Sequence, residues 1–266
     1  MIYVIADDLT GATDTGVQFS KQGYNSSVVI VSDLDPRSVF NSGSLATEID
    51  VLVIDTETRE VDPSTARHRI HHVLENIPFS DNDVIYKKVD STLRGNTGAE
   101  LDECLKTLNK DLCIFTPSFP SNKRITVEGY LIVQDQPLGL SEYYTGNLEP
   151  EEASYIPSLL QQETDFPIAR IDLKDVIQGE RVILRKIREL FSTEKRILVV
   201  DAMNGAQLGD ILKGSFEFDG SVLYSGSAGL ANALSELYNG NRHAPVSSGQ
   251  TRKPVLGVSG SMSSIT

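Results

Sequence analysis

Short apolar runs alternate along this chain with segments in which apolar residues recur every three or four positions. Runs rich in Val, Ile and Leu indicate strands that are covered on both faces, and the recurring pattern indicates amphipathic helices. The alternation predicts an α/β fold: a mostly parallel sheet with helices on both faces. The predicted strands are residues 2–6, 27–32, 51–55, 83–89, 112–116, 196–201, 222–225 and 254–259.

Local sequence cues indicate where some of the helices begin. Asp62 followed by Pro63 is typical of an N-cap residue and the first helical position. Thr97 and Glu100 have the spacing of a capping box, in which each side chain bonds the backbone N–H of the other residue. Two further helices are predicted around residues 182–191 and 230–237, where apolar residues repeat at helical spacing.

Two polar, turn-rich stretches interrupt the pattern. The first surrounds two short β-like runs, 124–127 and 130–133, which predict a hairpin that acts as an active-site flap. The second, residues 239–253, has the composition of a linker. We therefore predict a first domain over residues 1–238 and, after the linker, the first strand and turn of a truncated second α/β domain over 254–266.

The composition narrows the classes of partner. The 266 residues carry a formal net charge of -13 at pH 7 without a visible basic stripe, so we expect no nucleic-acid partner. No basic region precedes the first apolar run, and no run approaches the length of a membrane span, so we expect no membrane association. Cys104 and Cys113 lack metal-ligand spacing, which predicts two buried thiols in a reduced, cytoplasmic protein.

The first chemically dense segment is IADDLTGATD, residues 5–14. Ligands of open parallel sheets bind where strands end, and Asp7 and Asp8 directly follow the first predicted strand. These carboxylates can hold Mg²⁺ or accept a hydroxyl proton, and Gly11 permits close approach of a ligand. The alternative is that Asp8 or Thr10 only caps the helix that follows.

The second segment, KKVDSTLRGN at residues 87–96, has the highest density of polar groups. Strand alternation places Lys88 and Asp90 on one face of the sheet and Lys87 on the other. Arg94 can bind a carboxylate through two parallel hydrogen bonds. The alternative is a solvated loop with surface ion pairs. The residues that can bond hydroxyl groups of a ligand are Ser91, Thr92 and Asn96.

Three further segments carry weaker patterns. Arg124 and the lysine before it either add positive charge beside a site or form an exposed basic turn. Residues 224–231 form a Gly/Ser turn before a helix, which suits an anion at the helix N-terminus; the alternative is an N-cap at Ser227 with close helix packing at Gly229. Residues 258–266 place hydroxyls after a strand without the spacing of a Walker loop.

Taken together, four of these segments resemble a known family. The stretches IADDLTGATDTGVQF, KKVDSTLRGNTGAEL, GSAGLANAL and VSGSMSSIT follow one another in that order, as in the four-carbon acid sugar kinases, which were long described as a domain of unknown function. The resemblance runs from the first residue to the last. It implies an N-terminal domain that binds threonate, erythronate or a 3-oxo-tetronate, and a C-terminal domain that binds ATP and delivers the γ-phosphate to the terminal hydroxyl.

The resemblance also implies parts that this chain does not contain. Family members are longer and carry a further glycine-rich ATP segment without a counterpart here. We expect the substrate carboxylate to bind Arg94 and Lys88, and one of Asp7, Asp8 and Asp90 to accept the proton of the attacked hydroxyl. Mg²⁺ is expected to arrive with ATP rather than on a metal site of the protein.

The expected partners are the sugar acid and ATP, with a homodimer as the assembly to test. The residues expected at the ATP site are Ser259, Gly260 and Ser261. The residues expected to bind the sugar acid are Thr10, Gly11, Lys88, Ser91, Thr92, Arg94, Gly95 and Arg124.

Two other classes of function remain open from the sequence. A sugar-acid-binding protein without a complete ATP domain would bind the acid and form no ADP. A phosphatase or an aldolase-like enzyme would use Asp7, Asp8 or Lys88 without ATP. The spacing of the aspartates argues against the phosphatase, since its second Asp would follow the first by two residues rather than one.

Overall fold

The computed structural model describes residues 1–31, 49–80 and 82–238. Within these ranges, one sheet has eight parallel strands and a smaller antiparallel sheet has three. The strands are β1 (Ile2–Ala6), β2 (Ser26–Ile30), β3 (Val51–Asp55), β4 (Val84–Lys88), β5 (Leu112–Thr116), β6 (Arg124–Val127), β7 (Tyr130–Val133), β8 (Gln136–Pro137), β9 (Ile168–Ile171), β10 (Ile197–Val200) and β11 (Val222–Gly226).

The α/β class, with a parallel sheet and helices on both faces, is confirmed. The strand order of the large sheet is β2-β3-β1-β4-β11-β5-β10-β9. The predicted strand at 254–259 and the predicted linker lie outside the described residues. The helices are α1 (Leu9–Lys21), α2 (Pro63–Glu75), α3 (Thr97–Thr107), α4 (Pro150–Ser154), α5 (Ile156–Gln161), α6 (Leu173–Val176), α7 (Glu180–Ser192), α8 (Gly205–Phe216) and α9 (Ala228–Leu237).

Two apolar cores lie on the two faces of the large sheet. Alternate residues of β1 show the division: Ile2 and Val4 pack with α1, α7, α8 and α9, whereas Tyr3 and Ile5 pack with α2, α3 and α5. Because side chains alternate along a strand, Asp7 continues the row of Tyr3 and Ile5. None of the described helices is long and apolar enough to cross a membrane.

The helix starts follow the sequence in one case and depart from it in another. Asp62 caps α2 through its side chain, as predicted. The predicted capping box is wrong: α3 begins at Thr97 after Asn96, whose side chain makes no cap, and Glu163 accepts the backbone N–H groups of Gly98 and Ala99. Glu100 forms an ion pair with the buried Lys87, because a buried ammonium needs a counter-charge.

The predicted hairpin is confirmed as β6 and β7, and a buried carboxylate anchors it. Asp201, at the end of β10, accepts hydrogen bonds from the backbone N–H groups of Glu128 (2.7 Å), Gly129 (2.9 Å) and Leu173 (2.9 Å). The turn of the hairpin is thereby tied to the end of the large sheet.

The strand order reverses direction at β1, which lies between β3 and β4. After β1 the chain adds β2 and β3 on one side of it. The chain then crosses to the other side of β1, where β4 and the later strands of the sheet lie. In open parallel sheets this reversal creates a crevice outside the carboxyl ends of the strands, where ligands bind. Both chemically dense segments of the sequence begin at this crevice, one after β1 and one at the end of β4.

Candidate active site

A cavity of about 100 Å³ opens at this crevice, between the ends of β1, β4, β5 and β11. The structure brings together residues that lie far apart in the chain, and most of the predicted site residues are among them. The residues that line the cavity are Asp8, Thr10, Gly11, Asp14, Arg59, Lys88, Asp90, Ser91, Arg94, Phe119, Asn122, Ser227 and Ala228.

Two of the predicted site residues stand directly behind the lining. Asp7 is 3% exposed, and its Oδ2 accepts a hydrogen bond from Arg59 Nε at 2.7 Å. Thr92 is buried and donates its hydroxyl to Asp90 Oδ2. Both side chains therefore orient charged groups of the cavity wall instead of lining it.

Two other predicted residues are placed further from the cavity. Gly95 has a φ of +92° and lies so close to Arg59 that an added Cβ would meet its backbone at 3.2 Å. Arg124 stacks on the ring of Tyr143 at 5.0 Å and donates to the carbonyl oxygen of Asn122 at 3.2 Å. Gly95 thus makes room for Arg59, and Arg124 supports the segment that carries Asn122.

Arg59 was not predicted from the sequence, yet its guanidinium joins all three aspartates. Nη1 and Nη2 bind the two oxygens of Asp8 at 2.5 and 2.7 Å, Nε binds Asp7, and Asp90 Oδ1 lies 4.0 Å from Nη2. Burial disfavours its charge, but the attraction of these carboxylates outweighs burial and raises the pKa of Arg59. Its place after β3, the strand beside β1, is the cue that could have found it.

Asp90 is held as an ion by its neighbours. It accepts hydrogen bonds from Arg94 Nε at 2.7 Å and Nη2 at 3.1 Å, in addition to the Thr92 hydroxyl. Burial opposes the charge, but Arg94 and Arg59 hold the pKa of Asp90 well below its usual range. Because these partners engage its oxygens, Asp90 is a weak proton acceptor.

We expect Asp90→Asn to lower the free energy of unfolding by about 1.5–3 kcal/mol at pH 7, since the amide cannot provide the charge that Arg94 and Arg59 bind. The folded-state pKa of Asp90 is depressed, so this contribution is present above roughly pH 4 and is lost as the pH falls through the folded-state value. Urea unfolding of both proteins at pH 7 and at about pH 3 measures it.

The difference between wild type and Asp90→Asn should shrink in acid, and a difference that stays constant would contradict the assignment. Asp219→Asn is the matched control, because Asp219 is 90% exposed in its pair with Arg188. Substitution of such an exposed partner is expected to change the free energy by less than about 1 kcal/mol.

Lys88 is a buried cation whose ammonium bonds a backbone carbonyl. The residue is 4% exposed, its Nζ donates to the carbonyl oxygen of Val89 at 2.7 Å, and within the described ranges it forms no ion pair. Burial lowers its pKa, against the attraction of Asp7 and Asp90. A Cβ at Gly11 would lie 2.7 Å from Lys88 Nζ, so the glycine gives the ammonium its place against the first turn of α1.

Asp8 combines the two roles that the sequence left open. Its Oδ1 accepts the backbone N–H of Gly11 at 2.8 Å and so caps α1, while both oxygens bind Arg59. Its side chain is 23% exposed, compared with 4% for Asp7 and 11% for Asp90. Asp8 is therefore the aspartate of the three that a ligand can reach most easily.

The N-terminus of α9 forms the opposite wall of the cavity. Ser227 caps this helix by accepting the N–H of Gly229 at 3.1 Å and donates its hydroxyl to the carbonyl oxygen of Ser118 at 3.0 Å. Ser227 and Ala228 line the cavity. Because helix N-termini carry partial positive charge, this wall complements Lys88 in attracting an anion.

Gly229 allows the close packing that the sequence suggested, since an added Cβ would overlap the carbonyl oxygen of Ser118. We expect Gly229→Ala to lower the free energy of unfolding by about 1–3 kcal/mol through overpacking. Gly209→Ala, in the interior of α8 with no atom near the added Cβ, should instead stabilise by about 0.5–1 kcal/mol. Urea unfolding measures both, and equal effects would contradict the packing.

Chemically, the cavity can bind a small anion that carries hydroxyl groups. Lys88 and the start of α9 provide positive charge, Asp8 provides an accessible carboxylate, and Ser91 and Asn122 provide neutral hydrogen-bonding groups.

Residues 2–234 match the family model described as the sugar-binding N-terminal domain. The chain is 33% identical to a D-threonate kinase of Salmonella typhimurium, over 99% of this chain and 58% of that protein. It is 31% identical to a D-erythronate kinase of Heliobacterium modesticaldum, over 81% and 48%. It is 28% identical to a 3-oxo-tetronate kinase of Actinobacillus succinogenes, over 100% and 63%.

Solved structures agree with the fold. A Haemophilus influenzae protein of a family of unknown function matches 88% of this chain and 55% of its own, with a TM-score of 0.76 and 26% identity. A Bordetella bronchiseptica protein, crystallised with bound citrate as a domain-swapped dimer, matches the same shares with a TM-score of 0.71 and 26% identity. The chain spans about half to two thirds of the length of the curated relatives described above. Through its sugar-binding N-terminal domain, it belongs to the four-carbon acid sugar kinase family.

Proposed function

We propose that this chain forms the sugar-acid-binding part of an ATP-dependent kinase that phosphorylates the terminal hydroxyl of a four-carbon sugar acid. The observation that carries the proposal is Lys88, a buried ammonium that forms no ion pair with the described residues and faces a cavity shared with Asp8. The names of the curated relatives, which are threonate, erythronate and 3-oxo-tetronate kinases, support it.

In the proposed orientation, the substrate carboxylate binds Lys88 and the N-terminus of α9. Desolvation disfavours the charge of Lys88 in spite of the attraction of Asp7 and Asp90, so an incoming carboxylate adds attraction that stabilises the ammonium. Ser91 and Asn122 line the cavity and can bond the middle hydroxyls. The terminal hydroxyl then lies toward Asp8 and the open mouth of the cavity.

Asp8 is the residue that we propose as proton acceptor. Asp7 lies behind the wall, and the side chain of Asp90 is only half as exposed as that of Asp8, 11% against 23%. Arg59 holds both oxygens of Asp8 and keeps the carboxylate oriented. A carboxylate in hydrogen-bond reach of the hydroxyl would then remove its proton as the phosphoryl group is transferred.

We propose that ATP binds outside the described residues. The guanidinium of Arg59 engages both oxygens of Asp8, and Arg94 and Thr92 engage those of Asp90. This arrangement fits Mg²⁺ that arrives with ATP as part of the second substrate. The predicted ATP-site residues Ser259, Gly260 and Ser261 lie outside the described residues and remain predictions.

The surrounding organisation is also a proposal. Residues 1–238 act as the substrate domain, and 239–253 connect it to the nucleotide domain. The two cysteines, Cys104 and Cys113, are buried and unpaired, which fits the reducing cytoplasm in which we place the reaction. The swapped dimer of the Bordetella protein supports testing a homodimer in solution.

The test is ADP release by the full-length protein with Mg-ATP and a panel of D-threonate, L-threonate, D-erythronate and 3-oxo-tetronates. We expect turnover of at least one acid. An acid that raises the melting temperature without ADP formation would favour the non-catalytic binding protein. The absence of both effects across the panel would contradict the proposal.

A further inference from the structure

A buried ion pair lies behind the cavity, and none of the steps proposed above uses it. Lys87 and Glu100 have side chains that are 0% and 1% exposed, and Lys87 Nζ lies 2.5 Å from Glu100 Oε2. The desolvation of two buried charges often exceeds their attraction, and an apolar pair of similar volume often stabilises a fold equally well or better. Stability alone therefore does not account for the pair.

The remaining hydrogen bonds of Lys87 go to the two strands that meet at the crevice. Its Nζ donates to the carbonyl oxygen of Ile5 in β1 at 3.3 Å and to that of Lys88 in β4 at 2.8 Å. Glu100 in α3 lies beside the same ammonium as its counter-ion. The Lys87 side chain thus contacts β1, β4 and α3. Its contact in β1 lies two residues before Asp7, and its contact in β4 is Lys88 itself.

Asp7 couples this buried pair to the cavity. Its Oδ2 bonds Arg59, and its Oδ1 is buried and has no hydrogen-bond partner among the described residues. Burial opposes the charge of Lys87, but the attraction of Glu100 and Asp7 outweighs burial and raises the pKa of Lys87. Asp7 is therefore attracted by Lys87 from the core and by Arg59 from the cavity wall.

We infer that Lys87, with Glu100 as its counter-ion, is a positioning residue for phosphoryl transfer. It fixes the strand end that carries Asp7 and, through Asp7 and Arg59, the orientation of Asp8. This inference rests on the proposed function, because it assigns the purpose of the pair to the reaction at Asp8. A misplacement of about 1 Å in such a site can lower the rate by roughly 10²-fold.

The test is the double variant Lys87→Met/Glu100→Leu in the full-length protein, which removes both charges and keeps the volume nearly constant. We expect an unchanged or higher melting temperature and a kcat lower by about 10- to 100-fold, with a smaller change in KM for the sugar acid. Lys186→Met/Glu189→Leu removes an exposed pair on α7 and should leave both kinetic constants unchanged.

Glu100→Gln provides the second test. It keeps the shape and an acceptor for Lys87 but removes the counter-charge, and a several-fold lower kcat is expected even if the double variant does not fold. Wild-type kcat in a folded Lys87→Met/Glu100→Leu protein, or in Glu100→Gln, would overturn the inference while the kinase proposal stands. A wild-type protein that turns over none of the acids would overturn both.

Discussion

Replacement of Asp8 by Asn should lower kcat by about 10²–10⁴-fold, the range that general-base help contributes, with a smaller change in KM for the sugar acid. The reason is that the amide cannot accept the proton of the attacked hydroxyl. Asn also caps helices well, so α1 should keep its start at the N–H of Gly11. Steady-state kinetics of the full-length protein with Mg-ATP measure both constants.

Asp14→Asn is the matched control for this prediction. Asp14 lies six residues further along the chain in the same helix, is exposed and also lines the cavity, but it does not contact Arg59. We expect kinetic constants close to those of the wild type. A wild-type kcat in Asp8→Asn, or an equal loss in Asp14→Asn, would remove Asp8 from the role of proton acceptor.

Lys88→Met should weaken binding of the sugar acid by about 10- to 150-fold, because it removes a charge-assisted hydrogen bond worth about 1.5–3 kcal/mol. The same change should leave the melting temperature equal or higher, since the Val89 carbonyl is the one hydrogen-bond acceptor that the described residues offer the ammonium and its desolvation is relieved. Calorimetric titration and thermal unfolding of one preparation measure the two effects.

Arg94→Met is the control for Lys88→Met, because it shows how much affinity is lost when another positive charge of the cavity is removed. Arg94 also lines the cavity, but its guanidinium is half exposed and bonded to Asp90. Because its charge already has a partner, we expect less than about a 10-fold loss of affinity. A larger loss in Arg94→Met than in Lys88→Met would place the substrate carboxylate on Arg94, one of the two residues that the sequence suggested for it.

The strand pattern predicted most of the site, because the ends of parallel strands meet at one edge of a sheet. Asp8, Gly11 and Lys88 were placed by that rule and by the alternation of side chains along β4. The sequence could not decide between helix capping and ligand contact at Asp8, and the structure combines capping with lining the cavity. One carboxylate has enough oxygen lone pairs for several partners.

Arg59 shows what the pattern could not provide. It follows β3 in the polar segment TETREVD, residues 56–62, which holds no glycine, and its importance arises only when the segments after β1 and β4 converge on its guanidinium. Arg94 and Gly95 show the converse. Their residue types suit a ligand, but Arg94 bonds Asp90 and Gly95 packs against Arg59. Side-chain pairing across loops depends on tertiary placement, which residue spacing does not encode.

The secondary structure that escaped prediction has a similar cause. Strand β9 forms an edge of the large sheet, and Arg170 interrupts its short apolar run to pair with Asp172. An edge strand needs less continuous burial than a central one, so its pattern is weaker. Helix α8 contains three glycines, which lower its intrinsic helix preference.

Calorimetric titration of this chain without nucleotide measures whether a four-carbon sugar acid binds at Lys88. The titrants are D-threonate, L-threonate, D-erythronate and a 3-oxo-tetronate, each added to the wild type and to Lys88→Met. We predict saturable binding of at least one acid at one site per chain, with a loss of at least about 10-fold in affinity in the variant. Binding of none of these acids, or equal binding by both proteins, would contradict it.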